Sequence, residues 1–474
     1  MSEPARHTEV VVVGASVAGL AVARRLAGAG VSVQVLEAEQ QVGGGARAEE
    51  ADGFRLDRWA RPLSTAWPEL REEPALLTVP LREFAPGVLV HSEGRLYRAG
   101  EPAGARSTRG ARGAKGARGA ISALNAARAL ASAPRTAGPG GRTAVPGNRT
   151  AGAGGRGAGR AAPLGGPLDQ ARLGHALTRL AAQSEQRLAA RPESTAARTL
   201  TTRGLPARTV DGFLRPLLTA LLCDPELSSS SFAADLALHT YARGRLCLPE
   251  GGSDAIPAAL AAALPPGTVR TGVRVTSVAT TSVTTAGHGT LGCRAVVLAT
   301  GARDAATLLP GLRVPAFRPV TLVHHSTAEP PATQGALVLD AERGPLAWTA
   351  VVSQVDPLRA PAGRALVTSA LPGPPPADPD GALRARLARV YGTDTRRWEL
   401  VAVHHDAEAV PALPVPHDPR RPVRVVAGLY VCGGHRDSGD LGGALRSARR
   451  AATALLTDLR HAPATGPDDT TNAA

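Results

Sequence analysis

The architecture of this chain is set by Glu9-Val-Val-Val-Val-Gly-Ala-Ser-Val-Ala-Gly19, in which an apolar run leads into a turn that carries two glycines. Four consecutive valines are typical of a strand that is buried on both faces of a parallel sheet. Small and apolar residues then predict a helix from Leu20 to Ala27, which ends at Gly28 and Gly30.

A second apolar run, Val31–Leu36, predicts the neighbouring strand, and Glu37 stands at its end. Strand, glycine turn, helix, strand and acid is the order of the dinucleotide-binding unit in a doubly wound α/β sheet. In that unit Gly14 permits the sharp turn, Gly19 lets the helix pack closely on the sheet, and the first helical N–H groups hold a pyrophosphate. Glu37 lies 23 residues after Gly14, close to the spacing of a carboxylate that accepts the ribose hydroxyls and disfavours NADP. The alternative is an ordinary βαβ unit that binds no nucleotide.

A second glycine motif, Gln41-Val-Gly-Gly-Gly-Ala-Arg47, follows the second strand directly, and Asp52-Gly-Phe-Arg-Leu-Asp57 comes after it. With these motifs the chain resembles the FAD-dependent amine oxidase and phytoene desaturase superfamily, within the glutathione-reductase-like Rossmann flavoproteins. The resemblance implies an FAD cofactor whose pyrophosphate is approached on its flavin side by Gly43, Gly44 and Arg47.

A third motif of the resemblance lies near the end of the chain. Gly428–Cys432 predicts a strand, Gly433-Gly434-His435 follows it, and Gly442–Leu456 predicts a helix. The family closes its flavin site in this way, which implies that N–H groups at the helix start face the pyrimidine edge of the flavin, where reduction places negative charge. The family also places the backbone of Val275 beside the adenine. The cofactor-binding residues predicted in this way are Gly14, Ala15, Ser16, Ala18, Gly19, Glu37, Ala38, Gly43, Gly44, Arg47, Val275, Gly433, Gly434, Gly443 and Ala444.

Four positions depart from the family pattern. Ser16 stands where the pattern has glycine, and its hydroxymethyl group could crowd the phosphate or donate a hydrogen bond to it. Gly45 replaces an arginine, Gly434 an acid and Gly442 a side-chain amide. These departures support a second hypothesis, a cofactor-poor relative that acts as a non-enzymatic binding protein. A third hypothesis, an NAD dehydrogenase, is disfavoured by the second glycine motif and by the C-terminal helix motif.

The net charge of +14 is concentrated in one segment. Between Glu101 and Arg160 there are eleven basic residues and one acid, among many Gly, Pro and Ala residues. Large apolar groups that could offset the ordering of the chain are scarce there, so we expect a mostly disordered insertion with one short helix at Ile121–Leu130. The positive charge could bind polyanions. Because no aromatic residue lies between the arginines, a tolerated loop expansion without specific nucleic acid binding is favoured.

We expect an α/β fold that combines a Rossmann-type FAD-binding domain with an α+β substrate domain of helices and an antiparallel sheet. Each domain is assembled from separate parts of the chain. The predicted parts are 1–75, 246–304 and 416–460 for the FAD-binding domain, 76–100, 167–245 (helical) and 305–415 (sheet) for the substrate domain, 101–166 for the insertion, and 461–474 for a disordered tail.

Local patterns predict further elements. The predicted strands are Phe54–Asp57, Val269–Val278, Arg294–Ala299, Val320–His324, Ala336–Leu339, Leu346–Val352 and Arg364–Ser369, with a hairpin at Val88–Tyr97 that turns at Glu93-Gly94. The predicted helices are a run from Asp169 to Leu188, one capped by Ser194 that stops at Gly204, Thr209–Leu222 with a kink at Pro216, one capped by Ser231, and Gly381–Val390.

The sequence assigns no catalytic side chain. Adjacent histidines, as in His324-His325 and His404-His405, point to opposite faces of a strand, so we expect structural roles and no metal site. His435 lies in the predicted flavin-proximal loop and is the one histidine that we would test for catalysis, although a loop hydrogen bond is the default. Trp348 and Tyr430 could line the substrate side of the flavin, with core packing as the alternative.

The resemblance implies an FAD-dependent oxidoreductase that takes a hydride from a C–H bond of a small organic substrate. In such enzymes the cofactor carries the chemistry, which fits the lack of a catalytic triad or metal-ligand set in the sequence. The four cysteines form no C-x-x-C pair, so neither zinc nor a disulfide framework is indicated, and we expect a cytoplasmic location. No stretch is long enough to span a membrane. Peripheral membrane contact and the oligomeric state stay open.

Overall fold

The structure is a computed structural model that describes residues 8–58, 61–100 and 165–461. The predicted helix at 121–130 lies outside the described residues, as do the predicted tail beyond 461 and all but the last two residues of the predicted insertion. The strands of the described ranges are β1 (Val10–Val13), β2 (Val33–Leu36), β3 (Ala48–Ala51), β4 (Phe54–Asp57), β5 (Leu63–Ser64), β6 (Leu81–Glu83), β7 (Val88–Ser92), β8 (Arg95–Ala99), β9 (Leu246–Pro249), β10 (Val269–Arg270), β11 (Val275–Val278), β12 (Ser282–Thr285), β13 (Gly289–Gly292), β14 (Ala295–Leu298), β15 (Phe317–Thr327), β16 (Val338–Asp340), β17 (Trp348–Val351), β18 (Ala365–Pro372), β19 (Glu399–Pro411), β20 (Arg424–Val426) and β21 (Leu429–Val431).

The helices of the same ranges begin with the long helix that follows β1. They are α1 (Val17–Gly28), α2 (Glu69–Glu72), α3 (Pro167–Ala181), α4 (Glu185–Ala189), α5 (Ala196–Thr202), α6 (Ala207–Thr209), α7 (Arg215–Leu222), α8 (Ser231–Arg243), α9 (Ala255–Ala262), α10 (Ala302–Leu308), α11 (Val352–Val355), α12 (Pro379–Tyr391) and α13 (Leu441–His461).

A six-stranded sheet contains the valine run Val10–Val13 and the second apolar run that ends before Glu37. Its strand order is β10-β2-β1-β14-β21-β20, and its pairs are parallel except β20 with β21. One face packs on α1 and α13 in a single apolar cluster that includes Val10 and Val12. Val11 and Val13 point to the opposite face, which the small antiparallel sheet β11–β13 covers. The four valines are buried because both faces of β1 are covered.

The carboxyl ends of β1, β2, β14 and β21 lie at one edge of this sheet because these strands are parallel. Helix α1 follows β1 and helix α13 follows β21, so both helices begin at that edge. Ligands of doubly wound sheets bind at this edge. The fold therefore brings the first and third sequence motifs to the same place.

The second large sheet has seven strands in the order β19-β15-β18-β17-β16-β7-β8. Residues of α3, α5, α7 and α8 share an apolar cluster with one face of this sheet, and α12 packs on the other face. Strands from the predicted substrate segments 76–100 and 305–415 thus belong to one sheet. The pair β16–β7 is parallel, so this predominantly antiparallel sheet is mixed.

Several predicted elements agree closely with the structure. The strand Phe54–Asp57 has the predicted bounds, and the hairpin β7–β8 turns at Glu93 and Gly94, which both have positive φ. This backbone conformation is that of a two-residue type I′ turn.

Two predicted continuous elements are each divided in the structure. The predicted strand Val269–Val278 is two strands, because Gly272 with φ +71° turns the chain from the parallel sheet into the small antiparallel sheet. The predicted helix from Asp169 to Leu188 is α3 and α4, because the side chain of Ser184 accepts the Arg187 N–H and starts a new helix.

Two predicted helix caps are one residue away from those observed, and one predicted helix is irregular. The observed N-caps are Thr195 and Ser230, whose side chains accept backbone N–H groups of the first helical turn. The predicted helix Thr209–Leu222 contains a π-helical turn at Val210–Leu214 before α7 begins, so the irregularity precedes Pro216.

Candidate cofactor and substrate site

The turn between β1 and α1 is built around two glycines. Gly14 has φ +99°, and a Cβ atom there would lie 3.0 Å from the backbone of Ala299. A Cβ atom on Gly19 would lie 2.0 Å from the Gly14 carbonyl oxygen. A side chain at Gly19 would therefore collide with the turn. Because both positions are glycine, α1 starts directly after β1, and its first N–H groups lie at the sheet edge.

Glu37, at the end of β2, reaches this turn. Its carboxylate accepts the N–H of Ala15 at 2.7 Å and the N–H of Glu39 at 3.0 Å. The structure therefore brings the predicted ribose-binding acid to the predicted pyrophosphate-binding turn, with its orientation set by backbone donors.

Ser16 has an internal role that sequence reasoning missed. Its hydroxyl donates to the carbonyl of Ala299 at 2.7 Å and accepts the N–H of Gly19 at 3.3 Å, so it is the N-cap of α1. Neither crowding nor donation to a phosphate, the two predicted alternatives, accounts for this pair of bonds. A serine at this position stabilises the helix start.

The second glycine motif lies against the same turn. The N–H of Gly43 donates to the Ala15 carbonyl at 2.8 Å, and the Arg47 side chain donates to the Gly44 carbonyl at 3.0 Å. At Gly45 an added Cβ atom would meet nothing within 4 Å. The first carbon of a side chain at this position would therefore meet no neighbour.

Helix α13 begins at the same sheet edge, but its N-terminus is partly capped. The N–H of Gly443 donates to Asp440 Oδ1 at 2.7 Å. The Gly443 N–H is therefore not free to face a flavin, because an aspartate of the chain accepts it, and that the other N–H groups of this helix start face the flavin stays a prediction. The positive end of the helix dipole is still directed toward this edge.

Arg446 occupies the space in which a side chain at position 442 would lie. A Cβ atom on Gly442 would be 3.2 Å from Arg446 Nη1 and 3.3 Å from Glu69 Oε2. The guanidinium pairs with Glu69 at 3.1 Å and with Asp437 at 2.8 Å. Burial raises the pKa of both carboxyls despite this pairing, while the acidic neighbours raise the pKa of Arg446 above its ordinary value against the effect of burial. The expected amide is replaced by an ion-pair cluster.

The remaining predicted cofactor residues lie around this edge. Ala18 and Ala444 are buried in the first turns of α1 and α13, and Gly433 donates its N–H to Ser447 Oγ at 2.9 Å. A Cβ atom on Gly434 would lie 3.4 Å from the Asp440 carbonyl oxygen. Ala38, half-buried, follows Glu37, and Val275 opens β11. Which of these atoms contact a cofactor stays a prediction.

A cleft of about 530 Å³, partly open to solvent, lies between the second glycine motif, the start of α13 and the seven-stranded sheet. We call it the inner cleft. Its walls include Ala46 of the second glycine motif, Leu441 at the start of α13, and Trp348 of β17. Trp348 lines this cleft and is also part of the apolar core, so its place beside the flavin stays a prediction. Tyr430 of β21 does not line the cleft: it is buried in the apolar cluster between the six-stranded sheet and α13, and its hydroxyl donates to Asp458.

A buried ion pair lies in the wall of the inner cleft. Arg359 is buried and donates to Asp57 at 2.5 Å, to Asp356 at 3.1 Å and to the Pro249 carbonyl at 2.8 Å. Two carboxylates face one guanidinium, so the positive charge of Arg359 is compensated within the protein and the group carries one formal negative charge in excess.

A second space of about 630 Å³, partly open to solvent, lies among the helices; we call it the helical cavity. Its wall is largely apolar, with Phe232, Leu236 and Tyr241 of α8, and it also contains His417. Arg61 lines both spaces, so the inner cleft and the helical cavity meet at this side chain. Sequence reasoning assigned nothing to Arg61 or His417, because neither belongs to a motif.

The histidines predicted to be structural have internal partners. His324 is bonded to Thr368 at 3.0 Å, His325 to Asp380 at 2.8 Å, and His404 pairs with Glu49 at 3.2 Å. Burial lowers the pKa of His324 to about 3. His435 is also buried, which lowers its pKa to about 4, and it lines neither the inner cleft nor the helical cavity.

A potential set of metal ligands occurs in the described residues at His91, Asp340 and Glu342. The guanidinium of Arg386 donates to Asp340 at 2.5 Å and to Glu342 at 2.9 Å. A cation already neutralises the carboxylates, so this group is an ion-pair cluster. The four cysteines are buried and unbridged, and burial raises the pKa of Cys223 to about 11 and that of Cys432 to about 12.

Comparison with known proteins identifies the chain at the family level. The profile of the family described as "Flavin containing amine oxidoreductase" matches residues 17–456. The chain belongs to this family. It is an FAD-dependent oxidoreductase, as the motifs predicted, and the comparisons give no support to a cofactor-poor binding protein.

The proteins that this chain resembles carry out different reactions. Putrescine oxidase of Kocuria rosea is 44% identical over 80 residues, a match that spans 16% of this chain and 17% of that enzyme. The structure of a wild-type putrescine oxidase bound to putrescine superposes with a TM-score of 0.63 at 17% identity, covering 95% of this chain and 99% of the other. Reduced UDP-galactopyranose mutase gives 0.62 at 13% identity, covering 95% and 96%. At these identities the structures establish a shared fold.

In the described ranges, no helix combines the length and the apolar character that crossing a bilayer requires.

Proposed function

We propose that this protein oxidises a small organic amine, with FAD as the hydride acceptor and oxygen or another compound as the final electron acceptor. The observation that carries the proposal is the inner cleft, which has Ala46 of the second glycine motif, Leu441 at the start of α13 and the sheet residue Trp348 around one space. The family assignment and the fold shared with putrescine oxidase support an amine as the substrate class.

The cofactor-binding side of the proposal uses donors and acceptors that the fold has already positioned. The turn Gly14–Gly19 would hold the pyrophosphate through those backbone N–H groups that the chain itself does not use, since Glu37 and Ser16 already accept the N–H groups of Ala15 and Gly19. Glu37 would accept the ribose hydroxyls. Gly43, Gly44 and Arg47 would flank the pyrophosphate from the other side. The residues present fit the group, since Glu37 accepts the Ala15 N–H and Gly43 donates to the Ala15 carbonyl, so the acid and the second glycine motif both lie against the turn.

The bound flavin supplies hydride acceptance from the carbon next to the amine nitrogen. The chain contributes orientation and exclusion of water. Trp348 is buried at the cleft wall, and the paired Asp57 and Arg359 form a fixed polar floor. Inside such a space, charge interactions are stronger than in bulk water.

The decisive experiment is the visible spectrum of freshly purified protein, followed by anaerobic addition of a panel of amines. We expect a yellow protein with flavin absorption that bleaches with at least one amine. A protein that stays colourless after reconstitution with FAD would contradict the proposal, and titration with NADH separates it from a nicotinamide enzyme.

We also propose a cytoplasmic location, supported by buried, unbridged cysteines.

A further inference from the structure

A row of polar side chains crosses the seven-stranded sheet from the inner cleft toward the surface. Thr368 of β18 lines the inner cleft. It is paired in register with His324 of β15, and β15 pairs in turn with the edge strand β19, where His404 is opposite Leu322. Paired residues of neighbouring strands, and residues two apart on one strand, share a face of the sheet. The three polar side chains therefore lie on one face, in an order that leads away from the cleft.

Hydrogen-bond distances connect this row to an exposed carboxylate, with one gap. His324 Nδ1 lies 3.0 Å from Thr368 Oγ1, and His404 Nε2 lies 3.2 Å from Oε2 of the exposed Glu49. The two rings are neighbours whose centroids are 5.3 Å apart. The facing pair of atoms, His324 Nε2 and His404 Nδ1, is buried without a hydrogen-bond partner among the described residues. The row thus lacks a single hydrogen bond, between two rings that already lie side by side.

Both rings are neutral at neutral pH. Burial lowers the pKa of His324 to about 3 and also lowers the pKa of His404. Arg359 near the first ring and Arg58 near the second also disfavour a positive charge, whereas the backbone carbonyl of Asp57 lies beside both rings and opposes these effects. Each ring therefore has one nitrogen that donates a hydrogen bond and one that accepts.

The partners of the two rings decide which nitrogen carries the proton. The carboxylate of Glu49 can only accept, so His404 Nε2 donates to it and His404 Nδ1 is an acceptor. In the same direction, His324 Nδ1 accepts from the Thr368 hydroxyl and His324 Nε2 carries the ring proton. Every member of the row can then receive a proton from the side of the cleft and release one toward solvent, as a proton shuttle does.

We propose that this row conducts to solvent the proton that amine oxidation releases in the inner cleft. An ammonium substrate loses one N–H proton and gives its C–H hydride to the flavin, which leaves a protonated imine. Because a substrate that fills the cleft displaces water, that proton needs a route through the protein. The proposal rests on the proposed function for the source of the proton.

The transfer along the row conserves every other atom. The Thr368 hydroxyl takes the substrate proton and gives its own to His324, which passes its ring proton on to His404. The Glu49 carboxylate receives the proton that His404 releases and gives it to water. The hydrogen bond between the two rings is supplied by a rotation of the rings or by one water molecule beside them.

The first test needs neither substrate nor turnover. In protein that contains isotope-labelled histidine, NMR follows the exchange of the His324 ring proton with heavy water, and His324→Gln assigns the signal by its loss. We expect this buried proton to exchange readily, and His404→Phe to slow the exchange at least about tenfold because the next carrier is missing. His405→Gln, which changes the exposed neighbour on the same strand, should leave the exchange unchanged.

Two results of this measurement would overturn the proposal. One is exchange of the His324 ring proton that is as slow as that of the slowest backbone amides of the sheet, because such a proton reaches solvent when the protein unfolds. This result needs no variant, so it decides even if His404→Phe fails to fold. The other is an equal exchange rate in His404→Phe and the unaltered protein.

The second test links the row to the reaction. Anaerobic stopped-flow mixing with an amine follows flavin bleaching, in water and in heavy water. We expect His404→Phe to bleach about tenfold more slowly at neutral pH and with a larger solvent isotope effect, while His405→Gln behaves as the unaltered protein. Equal rates and isotope effects in His404→Phe would overturn the role of the row in amine oxidation.

The two tests separate this inference from the proposed function. If no amine bleaches the flavin, the proposed function is refuted, and the exchange measurement still decides whether the path exists. If an amine bleaches the flavin and His404→Phe changes neither exchange nor bleaching, the proposed function is retained and the proton path is refuted.

Discussion

At the scale of single residues, Gly19 shows how a missing methyl group creates the cofactor turn. We predict that Gly19→Ala lowers FAD affinity by more than about tenfold, roughly 1.4 kcal/mol. The reason is that its Cβ atom would lie 2.0 Å from the Gly14 carbonyl oxygen. Flavin absorbance on titration with FAD measures the change.

The control for this substitution lies on the same helix. At Gly28 an added Cβ atom meets nothing within 4 Å, so Gly28→Ala should keep FAD affinity and change stability by no more than about 1 kcal/mol. Equal FAD affinity in both variants would show that the turn is not the pyrophosphate site.

The buried histidines predict a dependence of stability on pH. The pKa of His324 is lowered to about 3 and that of His435 to about 4, chiefly by burial. The unfolded chain therefore binds more protons than the folded one below about pH 6.5, so the free energy of unfolding falls as pH decreases from there, by up to about 1.4 kcal/mol per pH unit for each such group.

We expect thermal melts between pH 6.5 and 5 to show this loss, and His435→Phe to make it shallower. Melts above about pH 7.5 serve as the control, since there neither ring takes up a proton in the folded or the unfolded chain and the two proteins should respond to pH in parallel. A slope that is identical in His435→Phe and the unaltered protein would contradict burial of that ring.

At the scale of elements, the start of α13 is joined to α2 through Arg446. We predict that Arg446→Met lowers the free energy of unfolding by about 3–5 kcal/mol, because Glu69 would stay buried without its cation and Asp437 would keep only Arg450. Urea denaturation measures this change.

Arg449, one turn away, provides the comparison. It pairs with Glu72, and both side chains are nearly half exposed, so Arg449→Met should cost no more than about 1 kcal/mol. If both variants lose the same stability, the cluster around Arg446 has no special role in holding the helix.

At the scale of the whole molecule, the basic segment between the described ranges can be separated from the cofactor site. Gly100, before the segment, accepts the Tyr241 hydroxyl of α8 at 2.8 Å, and α3, after it, packs on the same helix. We predict that a short Gly-Ser linker in place of residues 105–160 leaves the flavin spectrum and the melting temperature nearly unchanged.

Binding to polyanions tests the competing role of this segment. An electrostatic arm would bind nucleic acid with an affinity that falls steeply with salt and disappears with the replacement. Binding that is equal in both proteins would place any polyanion site elsewhere.

Much of the molecule follows from local patterns. The valine run, the two glycine motifs and the hairpin at Glu93-Gly94 have their predicted structures, because a strand or turn depends mainly on adjacent residues. The predicted ends of helices and strands were less accurate. The sequence periodicity predicted one continuous helix across Ser184 and one continuous strand across Gly272, but the structure has two elements in each case. One side-chain cap or one left-handed residue can outweigh a weak periodic pattern.

The amino-acid sequence alone determined the nucleotide-binding unit, the cofactor class and the two-part architecture, because these are written in short runs of neighbouring residues. The tertiary structure decided which distant side chains meet. Arg61, His417 and Arg446 carry no motif, and their burial and contacts depend on segments that are far apart in the chain: the Gly439 carbonyl accepts from Arg61, and Glu69 accepts from Arg446. Desolvation depends on the surrounding fold, so the environment of a buried polar group is known only when its neighbours in space are known.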